Sequence, residues 1–426
     1  MSETLEATTM RRIYWRLIPF LFAAMFFNYL DRINIGFAAL HMNQDIGLSP
    51  SVFGFGASVF FVGYMLLEVP SNMMLHRLGA RRWIARILVT WGIVAVAMAF
   101  AVGPNSFYSL RFLLGVAEAG FLPGLAMYVT YWFPQAYRAR AVAGYIIAGQ
   151  VSAVIGAPIS TTLMTFGDGM GGLHGWQWMF ILEGVPTILL GLFCLKTLTE
   201  RPASASWLSQ EQRDWLEARL ESERVQTEGG RPFSRFQAFR DGRVWALAIM
   251  FGCALVGIYG LLIWLPQIVK SMGHFSDMEI GLLSAVPPLL GVIGSILIGR
   301  RSDKHGERKK HLASVYILAG VSLGLSAIAP NPVIAYILLC FAGLGVNSGN
   351  ALFWSLNASL MTGAAAAVSI ALVNTIAQFG GLIGPWMIGL VKDATGSYSM
   401  ALMTLGGFLL VSATISWNLR TERKLD

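Results

Sequence analysis

The sequence predicts an all-α membrane protein with twelve transmembrane helices in two six-helix bundles. Three features predict it. The first is composition. Of 426 residues, 55% are hydrophobic and only 13% are charged, against about a quarter charged in an ordinary soluble domain. The second is the grouping of apolar residues into blocks. Residues 17–30, 83–102, 181–195, 244–269 and 312–329 carry almost no charge. Each block lies in a stretch long enough for a spanning helix, which needs about 20 residues. Most are apolar all round, whereas a large soluble helical core would show polar faces at helical period. The third is the placement of basic residues, taken up below.

The length rule places spans at about 15–38, 52–75, 82–102, 106–133, 139–164 and 176–197. A second set falls at about 244–270, 278–299, 311–329, 332–360, 366–391 and 397–418. With the N-terminus in the cytoplasm, the positive-inside rule then tests the count. Of 31 Lys and Arg residues, Arg32 and Arg111 fall deep within spans and only Lys270 and Lys392 fall outside. All the others lie on the cytoplasmic side or at its border. One span more or fewer would scramble that asymmetry. Residues 1–16 are polar and basic, but no small-residue cleavage site follows, so the first span is expected to be retained.

Cys194, Cys253 and Cys340 sit inside apolar blocks without metal-ligand spacing, and are expected to be reduced packing residues. No metal or cofactor is expected. The net charge of +8 does not point to nucleic acid, because no basic cluster is interleaved with stacking aromatics on a soluble domain. The partners expected are a small molecule and the lipid bilayer, and the chain is expected to act as a monomer.

Three segments follow. Residues 1–198 form the first six-span bundle, 199–243 a cytoplasmic linker, and 244–426 the second bundle. In the linker, Ser209 and Gln212 have capping-box spacing ahead of Trp215, Leu216 and Leu220, predicting a short amphipathic helix. The halves also repeat. Gly299-Arg-Arg-Ser-Asp303-Lys304-His-Gly306-Glu-Arg308-Lys309 follows span 8, and Asn72-Met-Met-Leu-His76-Arg77-Leu-Gly79-Ala-Arg81-Arg82 follows span 2. Tandem six-helix halves with a site between them at the membrane midplane are a transporter plan.

On these residues the chain resembles the major facilitator superfamily. Its second loop is similar to the superfamily's cytoplasmic signature, with Arg77, Gly79, Arg81, Asp303, Gly306 and Arg308 as the gating-loop residues the resemblance implies. The first copy departs from it, with His76 where an acid is expected and Asn72 for the first glycine. More narrowly, the chain resembles the anion:cation symporter family. The matching stretches are Asn28-Tyr-Leu-Asp-Arg-Ile-Asn34, Glu68-Val-Pro-Ser-Asn72, Gly79-Ala-Arg-Arg-Trp83, Arg111-Phe-Leu-Leu-Gly-Val-Ala-Glu-Ala-Gly-Phe-Leu-Pro-Gly124 and Trp176-Gln-Trp-Met-Phe-Ile-Leu-Glu-Gly184. The resemblance implies a proton- or sodium-coupled carrier of sugar acids, tartrate-like hydroxylated dicarboxylates or aromatic carboxylates.

An ionisable group inside a span is costly and is a functional candidate by default. The candidates are Asp31, Arg32, Glu68, Arg111, Glu118 and Glu183, all in the first half. From His311 to Val391 there is no Asp, Glu, Lys or Arg. Charge handling therefore belongs to the first bundle. Arg32 and Arg111 are the expected anion receptors, since a guanidinium stays charged when buried and grips a carboxylate with two parallel hydrogen bonds. Asp31 and Glu118 are the expected proton carriers, because a carboxylate that loses its Arg partner to substrate gains affinity for a proton. The alternative is two fixed ion pairs, Asp31–Arg32 and Arg111–Glu118. Asp31 and Arg32 are adjacent and cannot face the same way. Glu68 and Glu183 are expected to be structural. Polar groups in apolar spans add Tyr64, Gln150, Asn350, Trp354 and Asn374 as substrate contacts, of which Tyr64, Trp354 and Asn374 match cavity positions by resemblance. Asn347, Asn357 and Gln378 also fall in apolar spans, and interhelical hydrogen bonding is the competing reading for all these groups.

The expected function is import of a small organic carboxylate by proton symport with alternating access, with sodium left open as the coupling ion. The alternative is a proton-coupled exporter of cationic or lipophilic compounds. The intramembrane arginines and the incomplete antiporter-like Gly156-Ala-Pro158 of span 5 count against it. No nucleophile–base pair or metal cluster points to an enzyme. The short loops point to a bacterial inner membrane, with both termini cytoplasmic.

Overall fold

The structure, a computed structural model, describes residues 2–228, 241–360 and 364–419. Spans 1–6 are Ser2–Ala38, Pro50–Leu78, Ala80–Ala97, the pair Pro104–Glu118 and Phe121–Trp132, Gln135–Gly167, and Gly175–Thr197. Spans 7–12 are Gly242–Lys270, Asp277–His305, Arg308–Ser326, Pro332–Leu360, Ala364–Thr395 and Ser399–Asn418. Among the described residues, eleven of these are long and apolar enough to cross a membrane. The remaining helix, span 9, opens on Arg308, Lys309, Lys310 and His311, which dilute its apolar content. It packs against spans 10 and 12 as its counterpart in the first half packs against its own neighbours.

The same pairings occur twice. Span 1 packs on span 5, span 2 on span 4 and span 3 on span 6; span 7 packs on span 11, span 8 on span 10 and span 9 on span 12. The halves meet through spans 2 and 11, spans 5 and 8, and spans 1 and 7. That is the geometry of a duplicated bundle with an approximate two-fold relation.

Span 1 starts well before the expected residue 15. Its polar first turns are held by protein rather than lipid. Tyr137 donates to Glu6 (3.0 Å), and Arg12 donates to Gln212 (3.4 Å). The linker helix Gln210–Glu228 is capped by reciprocal bonds between Ser209 and Gln212, both 3.2 Å. Trp207, just before it, stacks on Trp132 with centroids 5.3 Å apart. The linker is thus bound to the first half.

Among the described residues, the contacts that seal the two halves together lie at the end carrying the 1–2, 5–6, 7–8 and 11–12 connections. There His41 Nε2 meets Asp277 Oδ2 at 2.7 Å. The Ser51 amide and the Ser49 hydroxyl donate to Asp393 Oδ2 at 2.8 and 3.1 Å. Lys270 donates to the Leu40 carbonyl at 2.8 Å. Pro385 interrupts the hydrogen-bond ladder of span 11, and neighbours take up the local backbone groups. Ser58 of span 2 accepts from the Trp386 amide (3.1 Å), and Trp264 donates to the Pro385 carbonyl (2.9 Å). Gly54 rests on the Pro385 carbonyl and Gly389 on that of Pro50, so a side chain at either would hold the halves apart. One apolar core runs through the second half and continues across this seal into the first half, whereas the buried core of the other end is built from the first half and its linker, with Tyr259 and Leu382 of the second half packed against it.

Two outcomes follow. Gly389→Leu inserts a side chain where backbone meets backbone. Overpacking of this kind costs about 1–3 kcal/mol, a shift of roughly 5- to 150-fold in the sealed-to-unsealed ratio. Distances between spin labels on the 43–47 and 272–275 segments should lengthen, and an unchanged distribution would contradict the seal. The second concerns pH. Asp277 raises the His41 pKa above its usual value, with Asp45 adding to the effect and Lys270 opposing it. The His41–Asp277 attraction is therefore complete below the ordinary histidine value of about 6.5 and lost as pH rises through the raised one. The unsealed population should grow with alkaline pH, and His41→Gln should abolish that dependence. A flat profile in the unsubstituted protein would count against the latch.

Candidate functional site

Below the seal lies a cavity of about 210 Å³ between the halves. That is smaller than the roughly 300–1,000 Å³ of sites for drug-sized ligands, which suits a small solute. Arg32 forms part of its wall, with Tyr29 and Gln150 on the same half.

Arg32 is held from three sides. Its Nε donates to Glu118 Oε1 at 2.9 Å, and Nη2 donates to the same oxygen. Nη1 donates to the Tyr259 hydroxyl of span 7 at 3.2 Å, across the interface between halves. The guanidinium also stands 5.4 Å from the ring centres of Phe60 and Tyr64. The two charged side chains are 7% and 1% exposed, so the pair is almost dry. A guanidinium has five N–H donors, so some remain for a ligand carboxylate arriving through the cavity. Glu118 Oε2 has no hydrogen-bond partner among the described residues.

Local backbone chemistry sets the position of Glu118. It is the last residue of the first segment of span 4. The chain breaks there because Gly120 takes a left-handed conformation, φ +83°. Irregular backbone is tolerated at this depth where protein buries it. Ser71 crowds the glycine from span 2, so no side chain fits.

The observed ion pair is neither of the two considered from spacing. Arg32 pairs with Glu118 across helices, and not with its neighbour Asp31. Arg111 does not pair with Glu118. Its Nη2 donates to the Ala57 carbonyl at 3.1 Å, and its guanidinium stands 5.1 Å from the Phe60 ring. One phenyl ring thus lies beside both guanidinium groups. Arg111 is buried and off the cavity wall in this conformation, contrary to its expected place as a substrate contact. Asp31 faces the interior of the first bundle, where Asn34 donates to its Oδ1 at 3.3 Å. Adjacency explains this: with Arg32 turned to the cavity, Asp31 must turn away.

On the opposite wall the structure brings together Asn350, Trp354 and Asn374, with Asn347 and Gln378 beside them. Trp354 meets Phe251 edge-on at 5.2 Å. Tyr64 does not line the cavity. It is buried under Arg32, because the guanidinium covers its ring. Asn357 is buried and off the wall. Sequence reasoning passed over Tyr29, Phe251 and Tyr259. For Tyr259 a signal existed, a phenol flanked by glycines inside an apolar span, since a buried tyrosine hydroxyl usually has a partner. Glu68 was expected to be structural; among the described residues its carboxylate makes no hydrogen bond, and its carbonyl accepts from Asn72 at 2.9 Å.

The repeated loops are built differently. In the second, Gly306 is left-handed (φ +67°), and Arg308 lies 3.6 Å from Asp303 and donates to the Ser355 carbonyl at 3.4 Å. In the first, Gly79 has φ +89°, Arg77 is exposed, and Arg81 donates to the Leu195 carbonyl. The acid absent from position 76 is supplied from elsewhere. Glu200, at the start of the linker, accepts the Ala80 and Arg81 amides at 2.6 and 3.0 Å. A carboxylate at the N-terminus of span 3 is favoured by the free N–H groups there.

The profile of the Major Facilitator Superfamily matches residues 21–385. A protein from Agrobacterium vitis, provisionally named a tartrate transporter, is 45% identical over 416 residues, covering 98% of this chain and 92% of its own. A quinolone resistance transporter of Acinetobacter baumannii is 39% identical over 410 residues, covering 95% of this chain and 94% of its own. Among solved structures, a bacterial homologue of the human lysosomal transporter Spinster, inward-facing and unoccupied, is similar in fold, with a TM-score of 0.78 at 17% identity over 95% of this chain and 96% of its own. With the duplicated bundles and the cavity between them, these matches make the chain a member of the Major Facilitator Superfamily, a multi-pass membrane transporter and not an enzyme.

Proposed function

We propose that the protein imports a small organic carboxylate together with protons by alternating access. One observation carries this reading. The only cation on the cavity wall among the described residues, Arg32, is bonded at once to a buried acid, Glu118, and to the other half through Tyr259. A ligand carboxylate that takes Arg32 removes the sole ion-pair partner that Glu118 has among the described residues. A buried carboxylate left without its cation costs about 3–5 kcal/mol, and a proton removes that cost. Substrate and proton then favour each other's binding, because linkage is reciprocal. The tartrate name of the Agrobacterium relative supports an organic-acid cargo.

The basic loops lie at the unsealed end, which the positive-inside rule assigns to the cytoplasm. The structure then faces inward, in the inner membrane, with both termini in the cytoplasm. In that orientation the Arg32–Glu118 pair is the state after release: substrate has left, Glu118 has lost its proton, and the two have closed on each other. Asp31 and Arg111 lie behind the pair. Arg111 acts as a positioning charge in this state and turns to substrate when the halves rock. Asn350, Trp354 and Asn374 supply uncharged contacts to the body of the solute.

A second reading, proton-coupled export, is favoured by the name of the Acinetobacter relative. The direction of proton movement separates the two. In liposomes holding a pH-sensitive dye, tartrate or a related carboxylate should acidify the interior. Acidification absent with every carboxylate, together with alkalinisation by organic cations, would favour export. Sodium-dependent uptake without acidification would replace the proton as coupling ion. Glu118→Gln should abolish gradient-driven uptake while substrate exchange persists, and retained accumulation would remove Glu118 from coupling. Arg32→Lys keeps the charge but not the fork. It should weaken substrate binding by about 10-fold or more, on the scale of one charge-assisted hydrogen bond of about 1.5–3 kcal/mol, and unchanged affinity would exclude Arg32 as the receptor.

A further inference from the structure

We propose that Glu183 is a second proton-binding carboxylate of this carrier, acting as a pair with Asp31 through the amide of Asn34. The inference rests on the symport reading above and adds a site to it. Glu183 lies on span 6, seven residues after Trp176, whose indole donates to Asp45 at the seal (2.7 Å). It is therefore about two turns, roughly 10 Å, below the sealed surface, and only 2% exposed. The Ser160 hydroxyl donates to its Oε1 at 2.7 Å, and Asn34 Nδ2 donates to its Oε2 at 2.8 Å. The same Nδ2 reaches Asp31 Oδ1 at 3.3 Å. One amide group therefore serves two buried acids.

Among the described residues neither acid has an ion pair. The charged groups acting on Asp31 are Glu183 itself, Glu118 and Arg111. Glu118 is already matched by Arg32. From span 5 the pair faces the Ser160 hydroxyl, and from span 3 the Trp91 indole stands by Asp31. Two carboxylates in a dry bundle with one nearby guanidinium are not both ionised at modest cost. A proton shared between them lowers that cost, and its loss changes the charge of the bundle without touching the substrate cavity.

The second observation is a cluster of buried polar atoms around the two acids that have no hydrogen-bond partner among the described residues. Asn28, one turn before Asp31 on the same helix face, is fully buried with both amide atoms unpaired. Asp31 Oδ2 and Asn34 Oδ1 are unpaired too. Buried polar groups are nearly always bonded, and a site that gains and loses a proton must be mismatched in one of its states. Glu118 would then bind the proton linked to substrate, and Asp31–Glu183 a proton that substrate does not displace. Two protons per monoanion would make uptake voltage-driven.

Infrared difference spectra of the full-length protein in lipid, titrated with acid and no substrate, read the site directly through the C=O stretch of protonated carboxyls. Glu183→Gln should remove one titrating band, and that band should persist in Glu118→Gln. The same titrating bands in Glu183→Gln as in the unsubstituted protein would overturn the proposal. If Glu183→Gln fails to assemble, Glu183→Asp should shift the band, and an unshifted band would count against it equally. Tartrate is a dianion at neutral pH, so two protons carry it without net charge and one proton leaves a net negative charge. In liposomes with tartrate, uptake by the unsubstituted protein should be insensitive to membrane potential, and Glu183→Gln should make it sensitive, slowed by an inside-negative potential. Tartrate uptake as insensitive to membrane potential in the variant as in the unsubstituted protein would overturn the second-proton role. Absence of any tartrate-linked proton movement in the unsubstituted protein would instead sink the symport reading, while the infrared titration still judges Glu183.

Discussion

The contact between Arg32 and Glu118 is the constraint on which the rest of the site depends. Two opposite charges sit where water is scarce, so each needs the other or a substitute. Everything around them limits what a substitute can be. The cavity admits a solute to Arg32, and the Oε2 of Glu118 is left without a partner among the described residues. An anion for one and a proton for the other are the simplest replacements. The Tyr259 hydroxyl ties the same guanidinium to the second half, so a change at the pair is felt at the interface that must rock.

The fold serves this pair in specific ways. The break at Gly120 ends the helix beside Glu118. Phe60 lies against both guanidinium groups and keeps Arg111 next to, but not within, the ion pair. The seal brings backbone onto backbone at Gly54 and Gly389, and the exposed polar contacts His41–Asp277 and Ser51–Asp393 add direction rather than bulk stability. Separating that surface also divides the apolar core that continues across it. The core at the opposite end is built from the first half, and only Tyr259 and Leu382 among the described residues pack onto it from the second.

The architecture was legible because apolar length and basic-loop asymmetry are read residue by residue. The duplicated loops pointed to the duplicated helix pairings. The confinement of charge to the first half was equally plain, and the structure finds Asp31, Arg32, Arg111 and Glu118 all buried there. The pairing among them was not legible. Arg32 and Glu118 are 86 positions apart, and helical spacing speaks only to neighbours on one helix. The alternative of an Arg111–Glu118 pair, two residues on one face of span 4, is not what the structure joins. Glu183 read as structural because Asn34 and Ser160, its partners, lie on two other spans. Glu200 escaped notice because its role appears only once the linker folds back onto span 3. Span 9 was placed correctly in order although its charged first turn weakens the apolar signal.

The central claim is that substrate and proton bind together because both act on one ion pair. Calorimetric titration of the purified protein with carboxylate, repeated in buffers of different ionisation enthalpy, counts the protons exchanged on binding. The account predicts net uptake approaching about one proton per substrate bound at neutral pH, by linkage, and none in Glu118→Gln. Binding without proton uptake in the unsubstituted protein, or uptake that survives in Glu118→Gln, would contradict it.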